Sequence, residues 1–291
     1  MLIHLITSGL SNGSLYAVVA LGLVVVFKAT NIINFAHGES FMLGGFLGYT
    51  FHVMFGVPYT VSIILSVVLC FFIGVLTERV AYRPIIRSPV LSLVLATTGL
   101  SFIFKGIARF VWGGKGEFIT FPPVFGSKPI VLWGIILSSQ QLVLLLVAGM
   151  YMLFFVFIFK STKIGKMMRA TAENQRAASL VGIRIERIHS IIWGMGAGTG
   201  AIAGVLAAPF TLLYPDLGAV LIVKAFAAAV LGGMDSILGA ILAGFFISLV
   251  ENFVGFYISS SLLDISPFVF IIIGLIIRPT GFLGSKEVAR L

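Results

Sequence analysis

The sequence predicts an all-α, polytopic integral membrane protein, folded as one bundle of about eight or nine transmembrane helices. Hydrophobic residues make up 59% of the 291 residues and charged residues only 10%, whereas soluble domains carry roughly 25% charged residues. Apolar stretches of about 20 residues recur, which is the length that crosses a hydrocarbon core of about 30 Å. Basic residues cluster in short segments between these stretches, as the positive-inside rule describes. Residues 1–291 are therefore interpreted as a single transmembrane domain.

Apolar spans account for most of the chain. They cover residues 8–27, 39–57, 59–77, 90–111, 131–159, 188–209, 217–233, 237–257 and 265–278. The first span has no Lys/Arg-rich segment before it and continues past residue 20, so we expect a retained helix rather than a cleaved signal peptide. The ninth span is short and the stretch 28–38 is polar, so the count changes by one if either is re-entrant.

Charge assigns the loops to the two sides of the membrane. Arg79, Arg83 and Arg87 mark one cytoplasmic loop, and the basic segment 160–187 marks the next. Segment 112–130 lies between these loops and has few charged residues, so we expect it outside. The same alternation places the N-terminus outside.

Small residues recur at helical spacing in three spans. Such residues let helix backbones approach closely in lipid, so we interpret these stripes as packing faces. The alternative is that these smooth faces slide against each other during transport. The stripes are Gly196, Gly200 and Gly204; Gly9, Gly13 and Ala17; and Ala240, Gly244 and Ser248.

A polar stretch follows the first span and contains Asn31, Asn34, His37 and Glu39. Polar backbone at membrane depth is tolerated only inside protein or beside an aqueous cavity, so one interpretation is a substrate-facing or gating elbow. The other is a cytoplasmic turn before the second helix, with Glu39 near a helix N-terminus, where the helix dipole favours an anion.

A second polar stretch, residues 231–239, contains Asp235 between glycines. An acidic residue followed by a glycine also occurs at Glu39 and Gly44. We interpret the two stretches as corresponding parts of two halves that have opposite orientations in the membrane. This arrangement predicts an inverted repeat, with both stretches beside the substrate path.

Charged residues inside spans are costly and therefore informative. Lys224 lies in the middle of a span, where it either pairs with an acidic residue, neutralises a substrate carboxylate or extends to the membrane surface. Lys105 and Arg109 are one helical turn apart, and we expect both to reach the outer surface. We expect Glu251 to mark a membrane interface.

The basic segment 160–187 is the most distinctive part of the chain, because it carries seven Lys/Arg and two Glu between long apolar spans. Residues 166–181 predict one helix, with small residues on one face and Gly182 as its C-terminal stop. The charged face is formed by Arg169, Glu173 and Arg176. A lipid-binding helix would present Phe, Trp or Leu, whereas a small-residue face suits a groove on a cytoplasmic protein.

The sequence also argues against several functions. A phosphate-binding loop is absent, since Gly165-Lys166 lacks the earlier glycine and is followed by Met167, so we do not expect this chain to hydrolyse ATP. It has neither a nucleophile–base set nor metal-ligand spacing, so we predict no enzyme, cofactor or metal site. The sequence pI of 9.9 does not indicate nucleic-acid binding, because the basic residues lie beside helix ends.

Motifs along nearly the whole chain carry a family resemblance. They occur at 13–17 (GSLYA), 33–39 (INFAHGE), 78–84 (ERVAYRP), 165–170 (GKMMRA), 172–174, 177–183, 224–226, 229–233 and 278–281. In this order they resemble the LivH-type permease family of bacterial branched-chain amino acid ABC importers. The resemblance does not fix the substrate, because related permeases handle urea, short-chain amides and other amino acids.

The resemblance implies an assembly in the bacterial inner membrane. Its members would be a second permease subunit (LivM-like or a second copy), two cytoplasmic ABC ATPases, and a periplasmic or lipid-anchored substrate-binding protein. It also implies that segment 160–187 couples the permease to the ATPase. The implied coupling residues are Arg169, Glu173, Asn174, Arg176 and Gly182. The chain departs from the Glu-Ala-Ala pattern of better-known coupling loops, since it reads Ala172-Glu173-Asn174 and Gly182 follows Glu173 by nine residues rather than about six.

The sequence is also compatible with other functional classes. A standalone secondary transporter or channel would use an ion or substrate gradient, and segment 160–187 would then lie on lipid. A structural membrane subunit would transport nothing. ATP-dependent accumulation of substrate distinguishes the importer from both alternatives.

Overall fold

The computed structural model describes residues 2–86, 88–113, 118–124, 130–132, 135–263 and 265–284, and within them the chain is almost entirely helical. Its α-helices are α1 (Leu2–Thr30), α2 (His37–Tyr49), α3 (Tyr59–Thr77), α4 (Val90–Trp112), α5 (Ser139–Ser161), α6 (Lys163–Glu173), α7 (Gln175–Leu180), α8 (Ile185–Ala207), α9 (Leu217–Gly232), α10 (Ile237–Tyr257) and α11 (Ser266–Ile277). A short hairpin pairs β1 (Ile130–Leu132) with β2 (Ile135–Leu137). The prediction of an all-α membrane bundle is confirmed.

Each predicted span coincides with a helix, but the helices differ in length. In the described part of the chain, α1, α3, α4, α5, α8 and α10 are long and apolar enough to cross a membrane. Helices α9 and α11 have 16 and 12 residues, or about 24 and 18 Å at about 1.5 Å per residue. Helix α2 has 13 residues and continues as a π-helical turn over Thr50–Met54. The protein is thus a polytopic helical membrane protein with spans of unequal length.

The fifth span begins later than predicted. The sequence predicts a span from residue 131, whereas α5 begins at Ser139, after the hairpin. A capping box sets this start: the Ser138 hydroxyl accepts a hydrogen bond from Gln141 N, and the Gln141 side chain accepts one from Ser138 N, both 3.1 Å long. Apolar composition marks the span, but the polar cap determines where its helix begins.

Helices α1 and α8 form the centre of the bundle and are buried along most of their length. Helix α1 packs against α10, α8, α9 and α5, while α8 packs against α2 and α3. Small residues bring these helices together. A Cβ on Gly244 would lie 2.7 Å from Ala17 N, and one on Gly204 would collide with the Phe41 carbonyl oxygen. The predicted stripes are therefore packing faces.

The predicted cytoplasmic loops meet at one end of the bundle. Arg83, after α3, contacts Glu186 at the start of α8, and Gln175 in segment 160–187 donates to Ala29 O near the end of α1. At the other end of α4, residues Ile119 and Leu213 form an antiparallel bridge between two connecting segments. Arg87 lies outside the described residues. The grouping agrees with the predicted sidedness of the loops.

The outer surface of the bundle is apolar. Helices α3, α4 and α5 expose large hydrophobic side chains, among them Phe72, Phe102, Phe110 and Leu153. In water these residues would form an apolar patch far larger than monomeric soluble proteins expose. In hydrocarbon the same surface is solvated by lipid.

Candidate functional site

The polar stretch after α1 folds into the protein as an elbow. Asn31 is exposed and adopts a left-handed conformation with φ of 56°, which Asn tolerates better than most residues. The Asn34 side chain accepts a hydrogen bond from Ala36 N at 3.0 Å. His37 is buried, and its Nε2 lies 3.1 Å from Val19 O. Because Val19 belongs to the middle of α1, the elbow returns the chain to the bundle interior before α2 begins.

An ion-pair network joins this elbow to α4 and α9. Ser101 Oγ donates to Glu39 Oε1 at 2.7 Å, and Lys105 Nζ lies 3.7 Å from the same oxygen and 3.1 Å from Asp216 Oδ1. Arg109 contacts Asp216 Oδ2 at 2.7 Å. Glu39 is 2% exposed, and its Oε2 has no hydrogen-bond partner among the described residues. We refer to these five residues as the elbow network.

The elbow network shows that the prediction for Lys105 is wrong. Lys105 does not reach the outer surface, since its side chain is only 13% exposed and lies between Glu39 and Asp216. Arg109 is half exposed, but it is also paired. Residues 101, 105 and 109 follow each other at four-residue spacing, so they lie on one face of α4. That spacing is visible in the sequence, whereas the acidic partners on other elements are not.

A second buried cluster joins four helices around Lys224. Its Nζ lies 3.3 Å from Glu251 Oε2 and 3.1 Å from Tyr16 Oη. The Tyr16 hydroxyl donates to Glu251 Oε2 at 2.9 Å, and Ser266 Oγ donates to Glu251 Oε1 at 2.8 Å. Glu251 is 2% exposed, so its carboxylate lies inside the helix bundle. Of the three alternatives that the sequence left for Lys224, the structure shows the first, a pair with an acidic residue.

Asp235 lies in the turn between α9 and α10, where Gly233 has φ of 108°. Lys28, in the last turn of α1, donates to the Asp235 backbone oxygen at 2.8 Å. The two predicted polar stretches therefore differ in setting: one enters the bundle and contacts α4, while the other lies beside the C-terminal end of α1. The inverted repeat stays a prediction.

A further polar cluster joins the segment that follows α3 to the first turns of α8. Arg83 binds Glu78 through two hydrogen bonds of 2.8 and 3.1 Å. It also contacts Glu186 Oε2 at 3.2 Å and Ser190 Oγ at 2.8 Å, while Ser190 Oγ donates to Glu78 Oε2 at 2.6 Å. Charge pattern alone identified Arg83 as a loop residue, but its side chain holds two loops together.

Segment 160–187 forms two helices rather than the single predicted one. Asn174 is extended between α6 and α7, and its side-chain oxygen accepts a hydrogen bond from Ala177 N at 3.0 Å. This N-cap begins a new helix and breaks the old one. Gly182 is the stop, as predicted, because it follows α7 with φ of 85°, a conformation that glycine adopts without strain.

The two halves of segment 160–187 differ in exposure. In α6, Met168 and Thr171 are 1% exposed, and the Arg169 guanidinium donates to the carbonyl oxygens of Phe159 and Lys160 at the end of α5. Arg169 therefore holds the base of the loop against the end of α5. This arrangement fixes α6 to the membrane helices.

The second part of the segment, residues 173–182, is exposed except for Ala178. Three predicted coupling residues, Glu173, Asn174 and Arg176, lie here together with Gly182. Leu180 and Val181 are 88% and 77% exposed, and the predicted small-residue face did not include Leu180. We call residues 173–182 the loop tip.

The sequence is similar to known transport proteins along almost its entire length. Residues 5–278 match the family described as "Branched-chain amino acid transport system / permease component". The chain is 31% identical to the high-affinity branched-chain amino acid transport system permease protein LivH of Salmonella typhimurium, over 97% of this chain and 96% of that protein. It is also 31% identical to BraD of Pseudomonas aeruginosa, a permease protein of the same description, over 98% and 96%.

Two further proteins are similar to this chain at lower sequence identity. The autoinducer 2 import system permease protein LsrC of Salmonella paratyphi B is 27% identical over 86% of this chain and 70% of that protein. The solved structure of PsaBC from Streptococcus pneumoniae in complex with Fab superposes with a TM-score of 0.51 at 14% identity, over 95% of this chain and 93% of that one. The second likeness concerns the fold alone.

Proposed function

The chain belongs to the family of permease components of branched-chain amino acid transport systems, and we propose that it transports branched-chain amino acids as a membrane subunit of an ATP-driven importer. The observation that carries this proposal is the match of residues 5–278 to the family, together with relatives at 31% identity over nearly full length. The substrate is taken from the names of these relatives.

The loop tip supports a role in coupling to a separate ATPase. It combines an exposed apolar pair, Leu180 and Val181, with the charged residues Glu173 and Arg176. Exposed apolar side chains on a polar loop favour a protein partner. The base of the loop is fastened by Arg169 to the end of α5, so a displacement of the tip would be transmitted to a membrane helix. ATP-driven closure of the motor would thereby change the arrangement of the bundle.

The elbow network supports a role in gating. Glu39 belongs to α2, Lys105 to α4 and Asp216 to the segment before α9, so the network connects three elements through ion pairs. Ion pairs between elements form and break as discrete states, which suits a gate between two conformations. Asn34 and His37 would position this gate through their contacts within the elbow. Lys224, by contrast, is fully engaged and would act as a packing clamp.

The assembly follows from the same proposal. A second permease subunit would complete the transmembrane path, two cytoplasmic ABC ATPases would bind the loop tips, and a substrate-binding protein would deliver the amino acid from outside. The location would be the bacterial inner membrane, with segment 160–187 in the cytoplasm.

Uptake of labelled leucine tests the function directly. Proteoliposomes would contain this chain with its neighbouring gene products, with ATP or without it. We expect ATP-dependent accumulation of leucine that excess isoleucine or valine suppresses. Accumulation of urea in place of leucine would move the substrate to the small amides, and ATP-independent accumulation that collapses with an ion gradient would make the chain a secondary transporter.

A further inference from the structure

A cavity of about 540 Å³ opens at the end of the bundle that carries the basic loops. It lies where the last turns of α1 and α5, the helix α6 and the first turn of α10 converge. Its charged lining consists of Lys28, Lys160, Arg169 and Asp235. Three cations against one carboxylate make this a basic cavity at a membrane surface.

Two of these cations lie over one aromatic ring. Lys28 Nζ is 5.9 Å and the Arg169 guanidinium 5.7 Å from the centre of the Phe159 ring. Lys28 donates to the backbone oxygen of Asp235, and the Lys160 side chain is exposed beside them. Lys28, Lys160 and Arg169 line one cavity with a single carboxylate, and an anion in the cavity would balance their excess positive charge.

An apolar groove of about 340 Å³ continues from the basic cavity. Leu283 lines both, and Leu238 in the cavity is followed at four-residue spacing by Leu242 and Phe246 in the groove. These three leucine and phenylalanine side chains on α10 are 48%, 61% and 48% exposed. The spacing places them on one face of the helix, which runs from the basic cavity into the membrane.

A basic cavity that leads into an apolar groove has the chemistry of a phospholipid site. We propose that this surface binds an anionic phospholipid of the cytoplasmic leaflet, with its phosphate headgroup among Lys28, Lys160 and Arg169 and an acyl chain along α10. The cytoplasmic leaflet is the anionic one, and basic pockets between helix ends on that side suit acidic headgroups. A protein neighbour packed against the groove alone would not neutralise the three cations that line the cavity.

The proposed lipid would also affect the position of segment 160–187. It would contact both α6, which forms the base of the loop tip, and the turn between α9 and α10. Anionic lipid would therefore stabilise the position of segment 160–187 against the bundle.

Retention of labelled lipid by the purified full chain tests the proposal. After delipidation in mild detergent, the chain would be incubated with phosphatidylglycerol or phosphatidylcholine of identical acyl chains. We expect preferential retention of phosphatidylglycerol. Each lysine near an anionic lipid surface contributes about fivefold in affinity, so Lys160→Gln should lower retention about fivefold and Lys28→Gln similarly. Lys160 is exposed, and its replacement should leave the fold intact.

Lys163→Gln and Lys166→Gln are matched controls, since both residues are exposed lysines of the same segment that do not line the cavity. Both should retain lipid like the wild type. Equal retention of the two lipids, or equal losses in the controls and in Lys160→Gln, would overturn the proposal. Complete displacement by millimolar glycerol 3-phosphate would reject the acyl-chain groove. Disulfide-linked dimers of a Leu242→Cys variant in native membranes would instead assign the groove to a second copy.

Discussion

Lys224 on α9 and Glu251 on α10 lie 3.3 Å apart, against Tyr16 at the midpoint of α1. Tyr16 and Ser266 complete the hydrogen bonding of the carboxylate, so the cluster joins α1, α9, α10 and α11. A buried ion pair is stable only with such additional donors, because desolvation otherwise exceeds the attraction. This pair therefore fixes the arrangement of the four helices.

Replacement of Lys224 by Met should destabilise the protein, because it leaves the Glu251 charge buried without its cation. Breaking a buried pair on one side costs about 3–5 kcal/mol. We expect a lower melting temperature in detergent, measured by the loss of monodisperse protein after heating. The double variant Lys224→Met/Glu251→Gln removes both charges and should melt above the single variant. If Lys224→Met melts like the wild type, the pair contributes no stability.

The loop tip should be sensitive to changes that leave its helices intact. Leu180→Asp places a charge in the proposed contact with the ATPase, and central interface residues contribute about 2 kcal/mol or more. We expect a loss of at least about thirtyfold in affinity for the ATPase subunits, measured by pull-down at graded concentrations. Membrane insertion should be unchanged.

Ile164→Asp is the control for Leu180→Asp, because Ile164 is an exposed apolar residue at the base of the same segment. It should bind the ATPase nearly normally. Equal binding by both variants and the wild type would remove the loop tip from the coupling role.

Glu39→Gln should impair transport more than folding. The glutamine can still accept the hydrogen bond from Ser101, but it no longer attracts Lys105, so one ion pair of the proposed gate disappears. We expect uptake to fall about tenfold, equivalent to roughly 1.4 kcal/mol, in proteoliposomes with equal amounts of assembled protein. Arg109→Gln breaks a half-exposed pair, which is worth about 0–1 kcal/mol, and should transport nearly normally. Wild-type uptake by Glu39→Gln would reject the gate.

Gly204→Ala should disrupt the contact between α2 and α8, because the new methyl group would meet the Phe41 carbonyl oxygen. Overpacking costs about 1–3 kcal/mol in well-packed cores, and backbone leaves little room to relax. We expect a reduced yield of folded protein and a lower melting temperature. Gly99→Ala on α4 is the control, since nothing lies within 4 Å of its added Cβ, and it should melt like the wild type. Equal melting of both variants would show that the contact is loose.

Much of the fold could be predicted from the sequence because lipid imposes strong constraints on it. Apolar length located the spans, and the charge asymmetry of the loops grouped them at one end. Small-residue stripes such as Gly244 beside Ala17 indicated close helix packing. The predictions that were wrong concern helix boundaries. The capping box at Ser138 delays the start of α5, and the extended Asn174 divides the predicted helix of segment 160–187 into two. In both places a polar side chain determines the boundary although the apolar pattern continues.

The candidate site was predictable in part. The sequence identified Glu39 and Lys224 as unusual, since charges inside spans are rare. It did not identify their partners, because Lys105 and Glu251 lie on other helices and the periodicity within one helix carries no information about pairs between helices. The contact of Arg169 was not predicted for a related reason: its acceptors are backbone carbonyl oxygens of the preceding helix, which charge pattern does not reveal.

The central position of α1 affects the order in which the helix bundle assembles. Ribosomes deliver α1 first, yet Glu251, the acceptor for Tyr16, follows 235 residues later. At about 5–20 residues per second, roughly 10 to 50 seconds of synthesis separate the two. During that interval the Tyr16 hydroxyl lies in a half-made protein without its native acceptor. The cluster is therefore complete only after α10 and α11 have been synthesised, and nascent chains halted before them would be natural targets for membrane quality-control proteases.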